Sequence, residues 1–357
     1  MFKGRRIFAP SRSGPDPEVA ELREKLKRTR NRMKRAEAAL TSARASDHRS
    51  GVPKFFLVGE AKSGTSWLMR LLHSHPEMVC HGEGKLFDKG SRRTLHGVLV
   101  HSEPLQTWLT QNPWTWRDDD PKLGDILVAC VDYLMAEKLS KDGRAKVVGD
   151  KSPFAGTGAV REIGALMPEA RVIHMIRDGR DRAVSRMHHL WNRATDQGGV
   201  HELTPEELSK RDRYRQDPEA FLRSGEGIFT AARLGETARS WAENVRAARS
   251  DGSKLPGERY MEVRYEDLLA DPVEKARGVM RFLGVASEEE IATRCVEAVT
   301  FERLANRSAG REDPTSFYRK GVSGDWKNVF TAEDGQIFKR EAGDLLVELG
   351  YEVDHDW

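Results

Sequence analysis

The chain of 357 residues has little that would tie it to a membrane, an oxidising compartment or nucleic acid. No run approaches the roughly 18 apolar residues of a membrane span, and the first residues lack the apolar core of a signal peptide. Three widely spaced cysteines exclude a disulfide framework and a four-cysteine metal site. A net charge of +3 does not imply nucleic acid. We expect a cytoplasmic protein with no transmembrane segment and no nucleic-acid partner.

Two segments precede the main domain in the sequence. Residues 1–15 are rich in Gly, Pro, Ser and Arg, a composition typical of disorder. Residues 16–47 repeat apolar side chains at spacings of three and four, with Lys and Arg on the other faces, which predicts a basic amphipathic helix. Three roles fit this helix: packing on the main domain, a short coiled coil that forms a homodimer, or contact with an acidic partner.

The main domain, residues 48–357, alternates strand-like and helix-like segments. The first predicted strand, KFFLVG from Lys54, has the continuous apolar character of a strand covered on both faces, and further strand candidates begin at Ala145, Ala170 and Arg259. Helices are predicted over residues 65–73 and from Pro272 to about Gly284. This alternation predicts an α/β protein with a P-loop-like three-layer fold, in which helices flank a central parallel β-sheet, plus the N-terminal helical extension. Ligands of such sheets bind beyond the carboxyl ends of the strands.

The turn after the first predicted strand, GEAKSGTS at residues 59–66, has the form of a phosphate-binding loop. It differs from the G-x-x-x-x-G-K-[ST] loop of nucleotide triphosphatases because Thr65 replaces the lysine and Lys62 lies inside the loop. Backbone N–H groups, the positive end of the helix and the hydroxyls of Thr65 and Ser66 would surround an anion. A P-loop kinase or another nucleotide-binding protein is a rival interpretation, against which Thr65 argues.

Three separated motifs together resemble sulfotransferases that use 3′-phosphoadenosine 5′-phosphosulfate (PAPS). AKSGTSWL, residues 61–68, is similar to the 5′-phosphosulfate loop of that family, and VIHMIRDGRDRAVS, residues 172–185, to its 3′-phosphate segment. In both motifs a small residue replaces a proline of the family pattern. YRKGVSGDWKN, residues 318–328, is similar to the family's Arg-Lys-Gly-x-x-Gly-Asp-Trp-Lys-Asn loop. The resemblance covers roughly residues 54–352.

The resemblance implies PAPS as sulfuryl donor, 3′,5′-adenosine bisphosphate (PAP) as product, and no required metal. The residues implied to hold the 5′-phosphosulfate are Lys62, Ser63, Gly64, Thr65 and Ser66, with Trp67 against the adenine. Those implied to hold the 3′-phosphate are Arg177, Ser185, Arg319, Lys320 and Gly321. A donor charged at both ends needs two anion sites, and guanidinium groups suit a phosphate monoester. Residues 308–326, called the late loop below, are polar and rich in glycine, and we expect them to order over the nucleotide.

The residue that would take the acceptor's proton differs between subfamilies of these sulfotransferases: it is a histidine in those that act on phenols and steroids and a glutamate in those that act on carbohydrates. VVGDKSPF, residues 147–154, has no histidine and resembles the Glu-Lys-[Ser/Thr]-Pro segment of carbohydrate sulfotransferases, which implies that Lys151 contacts the reacting group. HGEGKLFD, residues 81–88, is similar to the stretch that supplies a catalytic glutamate there, and Glu83 falls on that glutamate. The implied catalytic residues are therefore Glu83, Lys62 and Lys151.

Other residues keep alternatives open at this site. His81, His75 and His101 are competing bases. Asp150 is interpreted as a strand-end residue that steers Lys151, rather than as the metal-binding aspartate of a nucleotide triphosphatase.

The acceptor side is less specified by the sequence. Aromatic or basic residues on segments that the family uses for its acceptor cleft are candidates, although packing explains each of them too; they are Trp108, Trp114, Trp116, His188, His189 and Trp191. Residues 192–228 form a polar insert with one or two short helices, a length typical of lids. We expect a small-molecule or glycan acceptor, with a carbohydrate, glycolipid or natural product ahead of a phenol. A sulfotransferase-fold interaction protein without catalysis is a further rival.

Overall fold

The computed structural model describes residues 25–28, 30, 53–111, 122–141, 143–152, 158–194, 203–313, 316 and 318–357. The chain divides into two units, one of residues 1–49 and 109–122 and the other of residues 50–108 and 123–357. In the first unit, residues 25–28 and 30 are helical. The rest of the predicted segments 1–15 and 16–47 lies outside the described residues, so the disorder, the basic helix and its pairing stay predictions.

The second unit is built on a parallel sheet, which has five strands within the described residues. The strands are β1 (Lys54–Gly59), β2 (Met78–Gly82), β3 (Val147–Ser152), β4 (Arg171–Ile176) and β5 (Tyr260–Arg264). Their order across the sheet is β2-β3-β1-β4-β5, and every neighbouring pair is parallel. The carboxyl ends of the strands therefore share one edge, with β1 in the middle. The predicted α/β fold with a central parallel sheet is confirmed.

Helices follow the strands in the described chain. They are α1 (Thr65–His73), α2 (Leu95–His101), α3 (Glu103–Gln111), α4 (Lys122–Ser140), α5 (Ala159–Leu166), α6 (Gly179–Arg193), α7 (Pro205–Gln216), α8 (Pro218–Arg223), α9 (Ala231–Gly252), α10 (Tyr265–Ala270), α11 (Pro272–Leu283), α12 (Glu289–Ala298), α13 (Phe301–Ala305) and α14 (Ala332–Glu348). A short 3₁₀ helix spans Asp325–Asn328. None of the described helices has the length and apolar character to cross a membrane.

Alternation along β1 divides the core between the two faces of the sheet. Phe55 and Leu57 pack in a cluster with α1, α11 and α12, whereas Phe56 and Val58 pack in a cluster with α4 and α5. All four side chains are fully buried, and each contributes roughly 1.5–3 kcal/mol by burial. A third cluster around Trp241 joins α6, α9 and α14. Because helices cover both faces, the carboxyl edge is left for the site.

The predicted element bounds hold best where the sequence pattern is strongest. The predicted bounds of β1 and α1 are confirmed, and β3, β4 and β5 begin within two residues of the expected positions. The sequence does not predict β2, because five residues ending in His81 and Gly82 carry no run of branched or aromatic side chains. Helices α7 and α8 confirm the short helices of the insert, while residues 195–202 lie outside the described residues.

Candidate active site

The loop between β1 and α1 has a backbone that only certain residues tolerate. Lys62 has φ 75° and Gly64 has φ 93°, both in the left-handed region. A Cβ on Gly64 would lie 2.5 Å from the ring of Tyr265, so the position requires glycine. The carbonyl of Gly64 accepts the N–H groups of Trp67 and Leu68 at 2.9 and 3.1 Å, which starts α1. The predicted strand, small-residue turn and helix start are therefore present.

Two helices hold the first part of this loop. Arg182 of α6 contacts the carboxylate of Glu60, and its Nε donates to the carbonyl of Ala61 at 3.3 Å. Asn244 of α9 donates from Nδ2 to Oε1 of Glu60 at 2.7 Å. Since Glu60 is itself buried, the loop is fixed before it reaches Lys62.

Ten of the eleven residues predicted to bind the donor line a single cavity at the carboxyl edge of the sheet. They are Lys62, Gly64, Thr65, Ser66, Trp67, Arg177, Ser185, Arg319, Lys320 and Gly321. Ser63 is the eleventh: its N–H donates to the carbonyl of Glu60 at 3.1 Å, and its side chain is buried beneath the loop. The fold thus brings three motifs, separated by more than a hundred residues, to one place.

Arg177 joins the opening loop to the late loop at the cavity wall. Its Nη1 donates to the carbonyl of Lys62 at 3.2 Å, and its Nη2 donates to the carbonyl of Val322 at 3.1 Å. The guanidinium lies 4.3 Å from the centre of the Tyr265 ring, a cation–π contact. One arginine therefore orders both sides of the cavity.

Asp181, in the first turn of α6, also holds the late loop. Its Oδ2 accepts the N–H of Gly324 at 2.7 Å, and its Oδ1 accepts the N–H of Trp326 at 3.0 Å. The same carboxylate lies 3.9 Å from Nη2 of Arg177. The motifs do not single out Asp181, although an acidic residue four positions after Arg177 is a signal for such a pair.

The two cations of the late loop, Arg319 and Lys320, are each paired with acidic residues. Arg319 donates to Oε1 of Glu312 at 2.9 Å and also contacts Asp325. Lys320 donates to Oδ1 of Asp325 at 2.7 Å and lies 3.2 Å from Oε2 of Glu312. Burial raises the pKa of Asp325, but Arg319 and Lys320 outweigh burial and lower it to about 2. These carboxylates therefore stay ionised and hold both cations at the cavity wall.

The electrostatics of the cavity favour an anionic ligand. Burial, followed by the nearby charges of Arg177, Arg186 and Arg319, lowers the pKa of Lys62 to about 8. Within the described part of the chain, Nε of Arg177, Nε of Arg319 and Oγ of Ser63 are buried without a hydrogen-bond partner. Buried donors of this kind are satisfied in most proteins, so the two arginines at the cavity wall suit an anionic ligand.

A carboxylate and a lysine stand next to this cavity, at the ends of β2 and β3. Nζ of Lys151 donates to Oε1 of Glu83 at 2.7 Å and to Oγ of Ser66 at 3.2 Å. Lys151 is buried, whereas 47% of the Glu83 side chain is exposed. The pairing of Gly82 with Lys151 in the sheet explains why the two residues meet. Lys151 thus connects Glu83 to the loop that carries Lys62.

The interpretation of Asp150 as a strand-end residue is wrong, because Asp150 lies inside β3, and its steering of Lys151 stays a prediction. Strand β3 continues to Ser152, and Asp150 is fully buried within it. Its carboxylate accepts the N–H of Gly84 at 3.1 and 3.2 Å and lies 3.4 Å from Nζ of Lys138. Asp150 therefore contacts the segment after β2.

The histidines that compete with Glu83 have other surroundings. The ring of His75 is buried, with Nε2 2.9 Å from the carbonyl of Ala286 and Nδ1 accepting the N–H of Glu77. Nε2 of His101 lies 2.9 Å from the carbonyl of Lys89. His81 lies against His73, and burial together with that neighbour lowers its pKa. None of the three histidines lines the cavity. Glu83 does not line it either, but Lys151 joins Glu83 to Ser66 of the lining.

Packing accounts for two of the aromatic or basic residues considered for the acceptor. His188 and Trp191 are buried, and both rings pack against Tyr214, at 5.1 and 5.4 Å between centroids. Trp108 is half-exposed and His189 partly buried. Trp114 and Trp116 lie outside the described residues. Contacts of the remaining candidates with an acceptor stay predictions.

A parallel sheet whose carboxyl edge carries a cationic cavity, with a carboxylate and a lysine beside it, defines a protein that binds a nucleotide-sized anion next to acid–base groups. Comparison with known families agrees with this class. The sulfotransferase domain family matches residues 52–346. The chain therefore belongs to the sulfotransferase domain family, as the motifs predict.

Individual relatives are more distant. Protein-tyrosine sulfotransferase 2 of Gallus gallus is 22% identical over 281 residues, which cover 77% of this chain and 64% of the relative. Sulfotransferase 1C2 of Homo sapiens is 36% identical over 84 residues, which cover 21% of this chain and 28% of the relative. The chain thus spans less than two thirds of the length of these curated relatives. Among solved structures, a mouse sulfotransferase complexed with PAP has a TM-score of 0.47 at 17% identity, with 83% of this chain and 84% of that chain covered.

Proposed function

We propose that this protein transfers the sulfuryl group of PAPS to a hydroxyl of a carbohydrate, glycolipid or natural-product acceptor by in-line displacement, with PAP as the second product. The observation that carries the proposal is the position of Lys151, which bonds both to Glu83 and to Ser66 of the opening loop. A candidate base and the donor loop are thereby joined by one buried cation. Membership of the sulfotransferase family supports the choice of donor.

The cavity offers separate contacts to the two charged ends of the donor. Lys62, the hydroxyls of Thr65 and Ser66 and the start of α1 would hold the 5′-phosphosulfate. The 3′-phosphate would bind at the wall formed by Arg177, Ser185, Arg319, Lys320 and Gly321. The donor, when bound, supplies an activated sulfuryl group and a bisphosphate leaving group.

Trp67 is prepared for the adenine by its own contacts. Its Nε1 donates to the carbonyl of Val299 at 3.1 Å, and its ring packs edge-to-face on Tyr265 at 5.7 Å. These contacts hold the indole in one orientation at the cavity wall, where the adenine ring could pack against it.

Three residues would act on the reacting atoms. Glu83 accepts the proton of the acceptor hydroxyl, a role worth roughly 10²–10⁴ in rate. Lys151 and Lys62 place positive charge where negative charge grows as the old bond breaks. Because Glu83 is half-exposed, the acceptor can approach it from solvent while Lys151 stays buried and Lys62 partly buried.

A phenolic hydroxyl is the second candidate acceptor. It is favoured by one comparison, since the relative aligned with 77% of this chain is named for protein tyrosine. A phenol is more acidic than an alcohol, with a pKa near 10, and needs less help from a base. Loss of the Glu83 carboxylate should therefore cost less turnover with a phenol than with a sugar alcohol.

The test is mass spectrometry of products after incubation with PAPS and a panel of sugars, glycosides, alcohols and phenols. We expect a sulfated product from a sugar or alcohol, and no product with the Lys62→Ala variant. A panel that yields only phenol sulfates would select the second candidate. No transfer to any member would favour the rival, an interaction protein without catalysis.

Calorimetric titration tests the remaining rival, a P-loop kinase. We expect PAP to bind without magnesium, because Arg177, Arg319 and Lys320 supply the positive charge at the 3′-phosphate. Binding of magnesium ATP with no detectable binding of PAP would instead support a kinase.

A further inference from the structure

Two consecutive residues of β3 hold two consecutive residues of the segment after β2. Lys151 bonds to the side chain of Glu83 at 2.7 Å, and Asp150 bonds to the backbone N–H of Gly84 at 3.1 and 3.2 Å. The first contact is between side chains, and the second is to backbone. Lys151 therefore restrains the carboxylate of Glu83, and Asp150 restrains the peptide bond between Glu83 and Gly84.

These two contacts come from opposite faces of the sheet. Successive strand residues point to opposite sides, and the sheet register pairs Asp150 with Phe56 and Lys151 with Leu57. Phe56 belongs to the cluster with α4, from which Lys138 reaches Asp150, whereas Leu57 belongs to the cluster with α1, which carries Ser66. The segment that contains Glu83 and Gly84 is thus held by two residues of β3 that point to opposite faces of the sheet.

Gly84 makes the backbone contact possible. A Cβ at this position would lie 2.7 Å from Oδ1 of Asp150 and 3.0 Å from its Cγ, and Asp150 is too deeply buried to move aside. A carboxylate that is fully buried needs partners, and among the described residues Gly84 and Lys138 provide them. The close approach therefore serves both the carboxylate and the segment that it holds.

We infer that Asp150 is a positioning residue, which binds the N–H of Gly84 and thereby holds Glu83 where its carboxylate meets Lys151 and the acceptor. This inference rests on the proposed role of Glu83. A half-exposed glutamate on a segment without regular structure has many conformations open to it, and each misplacement of a base costs rate. A fixed peptide bond at residue 84 removes much of that freedom.

The first test compares Asp150→Asn with a substitution of Glu162, a buried carboxylate of α5 that holds the same segment. Glu162 accepts the N–H groups of Asp88 and Lys89 at 2.9 and 3.0 Å, which are bonds of the same kind but lie five and six residues beyond Glu83. An asparagine at 150 keeps the shape and can still accept the N–H of Gly84 through its one carbonyl oxygen, but this acceptor is neutral and the bond is weaker. At pH 8 the comparison is made on the ionised group, because burial, opposed by Lys138 and the Gly84 N–H, raises the pKa of Asp150 only to about 6.

We expect Asp150→Asn to lower kcat by about tenfold, because a neutral acceptor holds the Gly84 N–H less strongly, with the affinity for PAP unchanged. Glu162→Gln should lower the thermal midpoint to a similar degree and leave kcat near that of the wild type. Equal losses of kcat in the two variants would show a general loosening of the segment and overturn the inference. A wild-type kcat in Asp150→Asn would also overturn it.

A double-substitution cycle checks that Asp150 acts through Gly84. The added Cβ of Gly84→Ala should clash with Asp150 and lower kcat in the wild-type background, but cost little more in an Asp150→Ala background, where the clash is gone. Independent, multiplying losses would count against the mechanism. Asp150→Asn decides the question if either alanine variant does not fold.

Failure of the inference can be told from failure of the proposed function. A collapse of kcat in Glu83→Gln, with wild-type kcat in Asp150→Asn, would leave Glu83 as the base and remove only the positioning role. A wild-type kcat in Glu83→Gln would remove the base and the positioning role together.

Discussion

The donor end and the acceptor end of the site are built in different ways. At the donor end, Arg177 and Arg319 are nearly buried and each has several partners, contributed by separate segments of the chain. At the acceptor end, the Glu83 side chain is 47% exposed and its carboxylate is held by Lys151. The proposed donor end is thus held by several contacts within the chain, whereas the proposed acceptor end is exposed to solvent.

This difference suggests how the two ends divide the work. A wall of paired cations provides binding energy for a ligand that is the same in every turnover. A single half-exposed carboxylate leaves room for an acceptor whose shape the donor site does not constrain. Substitutions at the donor end should therefore change affinity for the nucleotide, and substitutions at the acceptor end should change turnover.

The largest expected effect is that of Glu83→Gln at the acceptor end. We expect kcat to fall by roughly 10²–10⁴, because the amide cannot take the acceptor's proton. Affinity for PAP should change little, since Glu83 contacts Lys151 rather than the residues at the 3′-phosphate wall. Steady-state kinetics and calorimetric titration of PAP measure the two quantities separately.

Glu77→Gln is the matched control for this substitution. Glu77 lies just before the other end of β2, where it bonds to the N–H of Ala286 and to Lys146. It should affect stability and leave kcat unchanged. If Glu83→Gln kept the wild-type kcat, another group would have to take the acceptor's proton. The contrast between a donor end that sets affinity and an acceptor end that sets turnover would then fail.

The sequence predicts the donor end far better than the acceptor end, for a physical reason. The strand, turn and helix around Lys62 and Gly64 have a local backbone geometry suited to an anion, and short-range sequence specifies that geometry. The contact of Asp150 with Gly84 joins residues 66 positions apart through a backbone N–H, and no periodicity records it. One signal was available, because a carboxylate in the apolar run VVGD must find a buried partner.

Strand β2 shows the same limit. It is short, lies at the edge of the sheet and ends in Cys80, His81 and Gly82, so its residues give no strand pattern. Its pairing with β3 is what brings Glu83 to Lys151. Resemblance of motifs identified both residues, but their meeting depends on a tertiary contact.

The next largest effect is expected for Arg319→Ala at the donor end. A charge-assisted hydrogen bond to a phosphate is worth about 1.5–3 kcal/mol, so the donor KM should rise roughly ten- to a hundredfold. At saturating donor, kcat should stay close to the wild-type value. Arg311→Ala is the control, since Arg311 is an exposed arginine of the same loop and does not line the cavity.

An Arg319→Ala variant with an unchanged donor KM would remove the late loop from the donor site. A variant that lost kcat at saturating donor as well would show that the two ends are not separable. Either result would break the comparison.

A smaller effect is expected for Asp181→Asn, which acts on the donor end without contacting the donor. An asparagine can accept the N–H of Gly324 or of Trp326 through its one carbonyl oxygen, but not both as the carboxylate does. Loss of one such bond should raise the donor KM by about tenfold, with kcat kept at saturating donor. A donor KM equal to that of the wild type would mean that Asp181 does not hold the late loop in its binding conformation.

The smallest effect near neutral pH, and the sharpest in form, is expected for Lys62→Arg. Burial and the surrounding arginines lower the pKa of Lys62 to about 8, so its charge is present below that pH and is lost as the pH rises through it. In the wild type, kcat/KM for the donor reports the free enzyme and should fall above about pH 8, whereas kcat reports the complex, in which the donor's negative charge keeps Lys62 protonated. Arginine stays charged throughout this range, so the variant should lose the alkaline fall in kcat/KM while its value at pH 7 changes only modestly.

A wild-type profile of kcat/KM that stayed flat to pH 10 would show that donor binding does not need the charge of Lys62. An alkaline fall in kcat alone would place that titration at the acceptor end.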